Sequence, residues 1–219
     1  MSHTMTTPGD ATPVAVCTRS GWRSQFGRPE GLGGRLAGRL MAVKNVAMNR
    51  LAAERLEIAP DDRILEIGFG PGTLIRMIAE RAPRGFTAGI DPSEVMVAQA
   101  TARNRAAVEA GRVRLALGTA SSIPFEDHRF TKACAVNSFH HWNSPVGDLR
   151  EVRRVLRPEG TLLLCLRVAL PRRSPFAAPG LTEEDFERTE ELVREAGFSG
   201  LRRERRRAGR EVECLYATA

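Results

Sequence analysis

Three glycines in alternate positions, Gly68, Gly70 and Gly72, follow the apolar run Ile64-Leu65-Glu66-Ile67. Glycine permits a tight turn and lets a ligand come close to the backbone. A loop of this kind between a buried strand and a helix sits at the C-terminal strand ends of an open α/β sheet, where ligands bind. The spacing is G-x-G-x-G with Thr73 next, not the G-x-G-x-x-G that seats a dinucleotide pyrophosphate. Glu66, two residues before Gly68, adds negative charge, which suits a cation. A second reactive pair is His140-His141, half of the four histidines in the chain. An imidazole with a pKa of about 6.5 can take a proton near neutrality. The competing reading is that one ring packs under a bound ligand or caps the next helix.

These residues need a frame, and the hydrophobic rhythm supplies one. Short apolar strands are predicted at 63–67, 86–90, 113–117, 132–137 and 161–166, with helices at 74–81, 93–105 and 146–155 between them. This alternation indicates βαβ units around a parallel sheet. Thr182 followed by Glu183, Glu184 and Asp185 marks a helix start, and that helix ends at Gly197. Two last strands, 201–207 and 211–217, flank Ala208-Gly209 and suit an antiparallel hairpin at the sheet edge. Upstream, residues 1–30 read as a flexible arm whose large aromatics are Trp22 and Phe26. Residues 31–57 read as a helical cap, and 31–219 as one domain whose α/β core is 58–219.

Composition limits the function classes. The 219 residues are 42% hydrophobic and 27% charged, a globular balance. The longest apolar run, Thr161 to Leu166, is strand-sized, far below the roughly 20 residues of a spanning helix. The net charge is +7, and all but two of the 33 basic residues are arginine. That excess reads as a solvated surface or as attraction to an anionic ligand or nucleic acid. Arg202 to Arg210 holds six arginines and Glu204. Cysteines 17, 134, 165 and 214 form no C-x-x-C pair, and no histidine stands near them at metal spacing. We therefore expect no metal, reduced thiols and, without an export signal, a cytoplasmic protein.

E-x-G-x-G-x-G after a first strand resembles motif I of class I S-adenosylmethionine-dependent methyltransferases. Four further segments continue the resemblance in order: Gly89-Ile90-Asp91-Pro92-Ser93, Gly118-Thr119-Ala120, Asn137-Ser138-Phe139-His140-His141-Trp142, and Leu156-Arg157-Pro158-Glu159-Gly160. The pattern covers about residues 45–217 and is similar to small-molecule enzymes of the ubiquinone/menaquinone-biosynthesis type. It implies a Rossmann-like, doubly wound, mostly parallel seven-stranded sheet, with S-adenosyl-L-methionine as cofactor. The cofactor would be held by Glu66, Gly68, Gly70, Gly72, Asp91, Pro92, Ser93, Thr119, Ala120 and Asn137.

Under that resemblance Asp91 accepts the ribose hydroxyls through charge-assisted bonds. Its other reading is a helix N-cap, for which Ser93 competes. The family usually has Asp where this chain has Thr119, and a hydroxyl gives one bond without the charge. The family's frequent Asp before the fourth strand is replaced by Thr131. His140 or His141 is the candidate catalytic base, needed only where the acceptor must lose a proton. No acid follows the fifth strand at Arg167-Val168-Ala169-Leu170 to orient it. Trp142 lines the pocket or packs in the core. Trp22 and Phe26 would help cover an acceptor such as a natural product, quinone or lipid. Two rival readings are a nucleic-acid methyltransferase, disfavoured because no Asn-Pro-Pro-Tyr-like run follows the fourth strand, and a non-catalytic cofactor-binding regulator. Oligomeric state is not encoded in any motif.

Overall fold

The computed structural model describes residues 45–169 and 180–219. In chain order these form α1 (Val46–Arg55), β1 (Arg63–Ile67), α2 (Thr73–Arg81), β2 (Phe86–Asp91), α3 (Glu94–Arg103), α4 (Arg105–Glu109) and β3 (Val113–Leu117). There follow β4 (Phe130–Val136), a 3₁₀ turn (Phe139–His141), α5 (Pro145–Val155), β5 (Leu156–Arg167), α6 (Glu183–Glu195), β6 (Ser199–Ala208) and β7 (Arg210–Thr218). The predicted arm with Trp22 and Phe26, and residues 31–44 of the predicted cap, lie outside the described residues.

Seven strands form one sheet in the order β3-β2-β1-β4-β5-β7-β6. β1 pairs in parallel with both β2 and β4, while β7 runs antiparallel between β5 and β6. The strand order therefore reverses between β1 and β4. Such a switch point opens a crevice at the C-terminal strand ends, which is where the glycine loop emerges.

Alternate side chains face opposite layers, as strand geometry requires. Leu65, Ala133, Ala135, Leu162 and Leu164 share a core with Leu149 and Val152 of α5 and Phe186 and Val193 of α6. Ile64, Cys134, Leu163 and Cys214 face the other side, against Met48 and Leu51 of α1 and Leu74 and Ile78 of α2. The described part of the predicted N-terminal cap is thus built into a layer of the core. Each fully buried Leu, Ile, Val, Met or Phe among them contributes about 1.5–3 kcal/mol.

Three boundaries differ from expectation, each for a local reason. The predicted helix 93–105 breaks at Asn104, whose side-chain amide donates to the carbonyl oxygens of Ala100 and Gly72, competing with continuation of the helix. β5 starts at Leu156, not Thr161, because Leu156 pairs with Phe130 ahead of an irregularity between Phe130 and Lys132. Thr131 accordingly lies inside β4 rather than before it. Its hydroxyl accepts from Arg63 N–H at 3.0 Å and donates to Asp62 Oδ1 at 2.7 Å. The acid expected at position 131 is supplied by Asp62, which Lys132 pairs at 2.7 Å. The α6 start behaves as predicted, with a reciprocal capping box between Thr182 and Asp185.

Candidate functional site

The site begins with the left-handed backbone of Gly68, Gly70 and Gly72, at φ of 76°, 52° and 73°. Gly68 and Gly70 differ in what favours glycine, since packing demands it at the first and only the left-handed backbone favours it at the second. A Cβ on Gly68 would lie 2.5 Å from Ser138 Cβ, whereas one on Gly70 would meet nothing within 4 Å. Gly68 is needed for close packing, while Gly70 leaves open space above the loop. Phe69 is buried against Ile75, Met96 and Ala100, anchoring the loop from below.

Three polar groups fix the loop from outside. Gly70 N–H donates to Asp91 Oδ2 at 2.8 Å. Ser138 Oγ donates to the Ile67 carbonyl at 2.6 Å. Asn104 Nδ2 donates to the Gly72 carbonyl at 3.1 Å. The last two roles were not legible as function in the sequence. Ser138 lies inside a family-like segment, but only the close approach to Gly68 reveals its task.

Glu66 is the unusual group. It lies on the α2 side of the sheet, is 2% exposed, and its Oε2 has no hydrogen-bond partner among the described residues. Burial first, and then the charge of Asp91, push its pKa well above 4.5, against a hydrogen bond from the Ile75 backbone. Asp91, also buried, has its pKa raised by burial, opposed by the N–H groups of Gly70 and Ser93. Two carboxyls therefore converge beside an open glycine loop. One has an unsatisfied oxygen, which a cationic donor would complete. This donor set fits the sulfonium, ammonium and diol of S-adenosylmethionine.

The other predicted residues are placed unevenly. Ser93 caps α3 by accepting from Met96 N–H, so the cap goes to Ser93 and leaves Asp91 to the loop. Pro92 stands between them, half-buried. Ala120 is buried in the α5–α6 core, which leaves only its backbone for a ligand. Thr119 is exposed and bridges to Ser122. Asn137 adopts a φ of 54°, and its N–H donates to the Cys165 carbonyl at 2.8 Å. Asparagine tolerates that left-handed backbone better than most residues.

His140 and His141 occupy the 3₁₀ turn after β4, beside the switch point. Their ring centroids are 4.0 Å apart and tilted by 46°. His140 is half-buried and His141 is surface-exposed, yet enough protein surrounds the His141 ring for burial to lower its pKa below 6.5. Trp142 packs edge-on against Phe139 at 5.0 Å, at the margin of the core. At the end of β5, Arg167 donates to Asn45, and no acid stands there in the sequence. Among the described residues no His, Cys, Asp and Glu cluster could hold a metal ion. No helix of the described residues is long and apolar enough to cross a membrane.

Comparison with known proteins agrees with this geometry. A family profile described as "Methyltransferase domain" matches residues 64–160. The uncharacterized methyltransferase YdaC of Bacillus subtilis is 30% identical over 166 residues, covering 76% of this chain and 87% of YdaC. O-methyltransferase resE of Aspergillus sclerotiorum is 32% identical over 171 residues, covering 74% of this chain, which spans 64% of resE. The solved structure of a SAM-dependent methyltransferase from Aquifex aeolicus superimposes with a TM-score of 0.64 at 18% identity, covering 78% of this chain and 88% of that one. At that identity the likeness concerns the fold.

Proposed function

Since this chain belongs to the class I S-adenosylmethionine-dependent methyltransferases, we propose that it methylates a small-molecule acceptor over the C-terminal ends of β1 and β4, with His141 as the base. When bound, S-adenosylmethionine supplies a methyl group activated by the positive charge on its sulfur. The chain's own task is then to hold, orient and deprotonate. Glu66 would bind the ammonium through its unpartnered oxygen, and Asp91 the ribose hydroxyls through the lone pairs that Gly70 and Ser93 leave. Backbone groups of Gly68, Gly70, Gly72, Pro92 and Ala120 would line the cofactor. Thr119 would give one neutral bond to the adenine, and Asn137 would close the cleft beside the loop.

The observation that carries the base assignment is the state of His141. It is exposed on the turn next to the glycine loop, and its depressed pKa keeps it neutral at pH 7. A neutral imidazole can accept the proton of an acceptor hydroxyl or phenol. His140, packed 4.0 Å away, would hold that ring in place, and Trp142 would border the acceptor. A hydroxyl-bearing natural product, quinone or lipid-like molecule fits this reading, which the name of the resE relative supports. Alignment of acceptor and methyl does the rest.

Calorimetric titration of S-adenosylmethionine and S-adenosylhomocysteine tests the frame, with Asp91→Ala as control. Binding that is lost in the variant is expected; no binding of either ligand would overturn the site. An acceptor screen then tests the base. His141→Gln should lower kcat by about 10²–10⁴-fold on a hydroxyl acceptor and leave cofactor affinity unchanged. The acidic limb of wild-type kcat/KM should fall below pH 6.5, the ordinary imidazole value. Unchanged turnover in His141→Gln would reduce catalysis to positioning alone.

A further inference from the structure

We infer that a second site, at the opposite end of the sheet from the glycine loop, binds the phosphate group of a small molecule. A cavity of about 300 Å³ opens there between the C-terminal end of α1 and the β6–β7 hairpin. Arg55, Lys132 and Arg202 line it together with Tyr216 and Thr218, and Glu57 is its one acidic lining residue.

Hydrogen-bond donors outnumber acceptors around this cavity. Glu204, on the α1 side of β6, serves three guanidinium groups at once. Its Oε1 lies 3.6 Å from Arg55 Nη1 and also meets Arg206, and its Oε2 lies 3.6 Å from Arg202 Nη1. The Tyr216 hydroxyl takes a further position on Oε2 at 3.2 Å. At 3.6 Å, Arg55 and Arg202 feel the charge of Glu204 but form no hydrogen bond with it. Among the described residues, Arg55 Nε is buried without an acceptor. Arg202 is anchored over the Tyr216 ring at 4.0 Å, a contact that uses none of its N–H groups. Lys132 Nζ donates to Asp62 and to the Glu57 carbonyl, which leaves the third of its three donors.

The other face of β6 provides an internal control. Arg203 and Arg205 there meet Glu183, Glu190 and Glu213, three acids for two cations. The same strand thus offers three carboxylates to Arg203 and Arg205 toward α6, where Arg203 Nη1 is nonetheless buried without a partner among the described residues, but a single carboxylate to Arg55, Arg202 and Arg206 toward α1. A doubly charged phosphate, with three strong acceptor oxygens, supplies what the α1 side lacks. A carboxylate would satisfy fewer of these donors, and a cation would be repelled. The inference stands independently of the methyl-transfer reading, because it uses no residue of the glycine-loop site.

The test uses the full chain with inorganic phosphate and pyrophosphate as probes, read by calorimetry and by thermal unfolding. Saturable binding should weaken about ten-fold in Arg202→Gln and in Arg55→Gln, the loss of one charge-assisted bond. Arg105→Gln, at an exposed helical ion pair remote from the cavity, should leave it unchanged. Arg202 is 60% exposed, so its variant keeps the test valid if Arg55→Gln misfolds. Sodium chloride at matched ionic strength giving the same stabilisation, or equal weakening by Arg105→Gln, would overturn the site as general screening of a basic protein. Binding of a thymidine oligonucleotide without binding of either phosphate probe would also overturn it, in favour of a nucleic-acid surface.

Discussion

The two ends of the parallel sheet solve opposite electrostatic problems. At the C-terminal strand ends, Glu66 and Asp91 are buried beside one another, and their pKa values are raised. At the N-terminal ends, Asp62 is also buried, yet its pKa is lowered. Burial alone would raise it, but hydrogen bonds from Lys132, Thr131 and the Ala59 N–H prevail. The difference shows how neighbours, not burial alone, set the state of a buried carboxyl. Asp62 has its cation and its donors built in. Glu66 has one backbone donor and, among the described residues, an oxygen without a hydrogen-bond partner.

The largest effect that would break this contrast is at Gly68. Gly68→Ala forces a Cβ into Ser138 at 2.5 Å on a left-handed backbone. It should cost about 3 kcal/mol of stability and abolish cofactor binding. Adding Ser138→Gly should recover part of both losses in denaturant melts and titration. No recovery would mean that backbone strain, not the collision, dominates.

Next in size is Asp62→Ala, which strands Lys132 and should cost about 2–3 kcal/mol. Because Asp62 is stabilising while ionised, that contribution is full above its unfolded pKa near 3.8 and fades as pH falls through the lowered folded value. Wild type and variant should therefore converge in acid melts, while cofactor affinity at neutral pH stays within about two-fold, below 0.5 kcal/mol. A large affinity loss would show that the two ends are coupled.

Glu66 should show the reverse dependence. Its folded pKa is raised, so it stabilises the free protein fully below its unfolded pKa, and that contribution disappears as pH rises through the folded value. Melting temperatures followed from about pH 5 to 9 should fall more steeply for wild type than for Glu66→Gln. Cofactor affinity should rise over the same range as the carboxylate forms. Parallel curves for the two proteins would show that Glu66 does not titrate there. The smallest effect is at Arg202, where Arg202→Gln should change stability by less than about 0.5 kcal/mol and leave cofactor binding unaltered. A measurable loss of cofactor affinity would contradict the independence of the two ends.

Much of this was legible in the residues. β1 and β3 lie at their predicted bounds, because their short apolar runs end at turn residues. The glycine spacing excluded a dinucleotide loop, and the last two strands pair as the predicted edge hairpin. Other features depend on partners distant in sequence. Thr131 reads as a lost acid until Asp62 is brought to it from 69 residues away. Ser93 and Asp91 compete for one cap on paper, and the cap goes to Ser93 because the Gly70 loop occupies Asp91. Cys165 and Cys214 look like isolated small apolar residues, yet strand pairing sets their sulfurs 3.3 Å apart.

By itself, then, the sequence determined the order of the elements, the parallel sheet, the cation-suited glycine loop and the family resemblance. The element order and the sheet follow from periodicity, the loop from glycine spacing over a few residues, and the resemblance from five motifs standing in order. Only the tertiary structure decided which charges are satisfied. Among the described residues it left Glu66 with an unpartnered oxygen, paired Asp62 with Lys132 and Thr131, and gave the β6 arginines three carboxylates on one face and one on the other. A charge's state depends on burial and on neighbours from other strands and helices, and those are set by packing rather than by position along the chain.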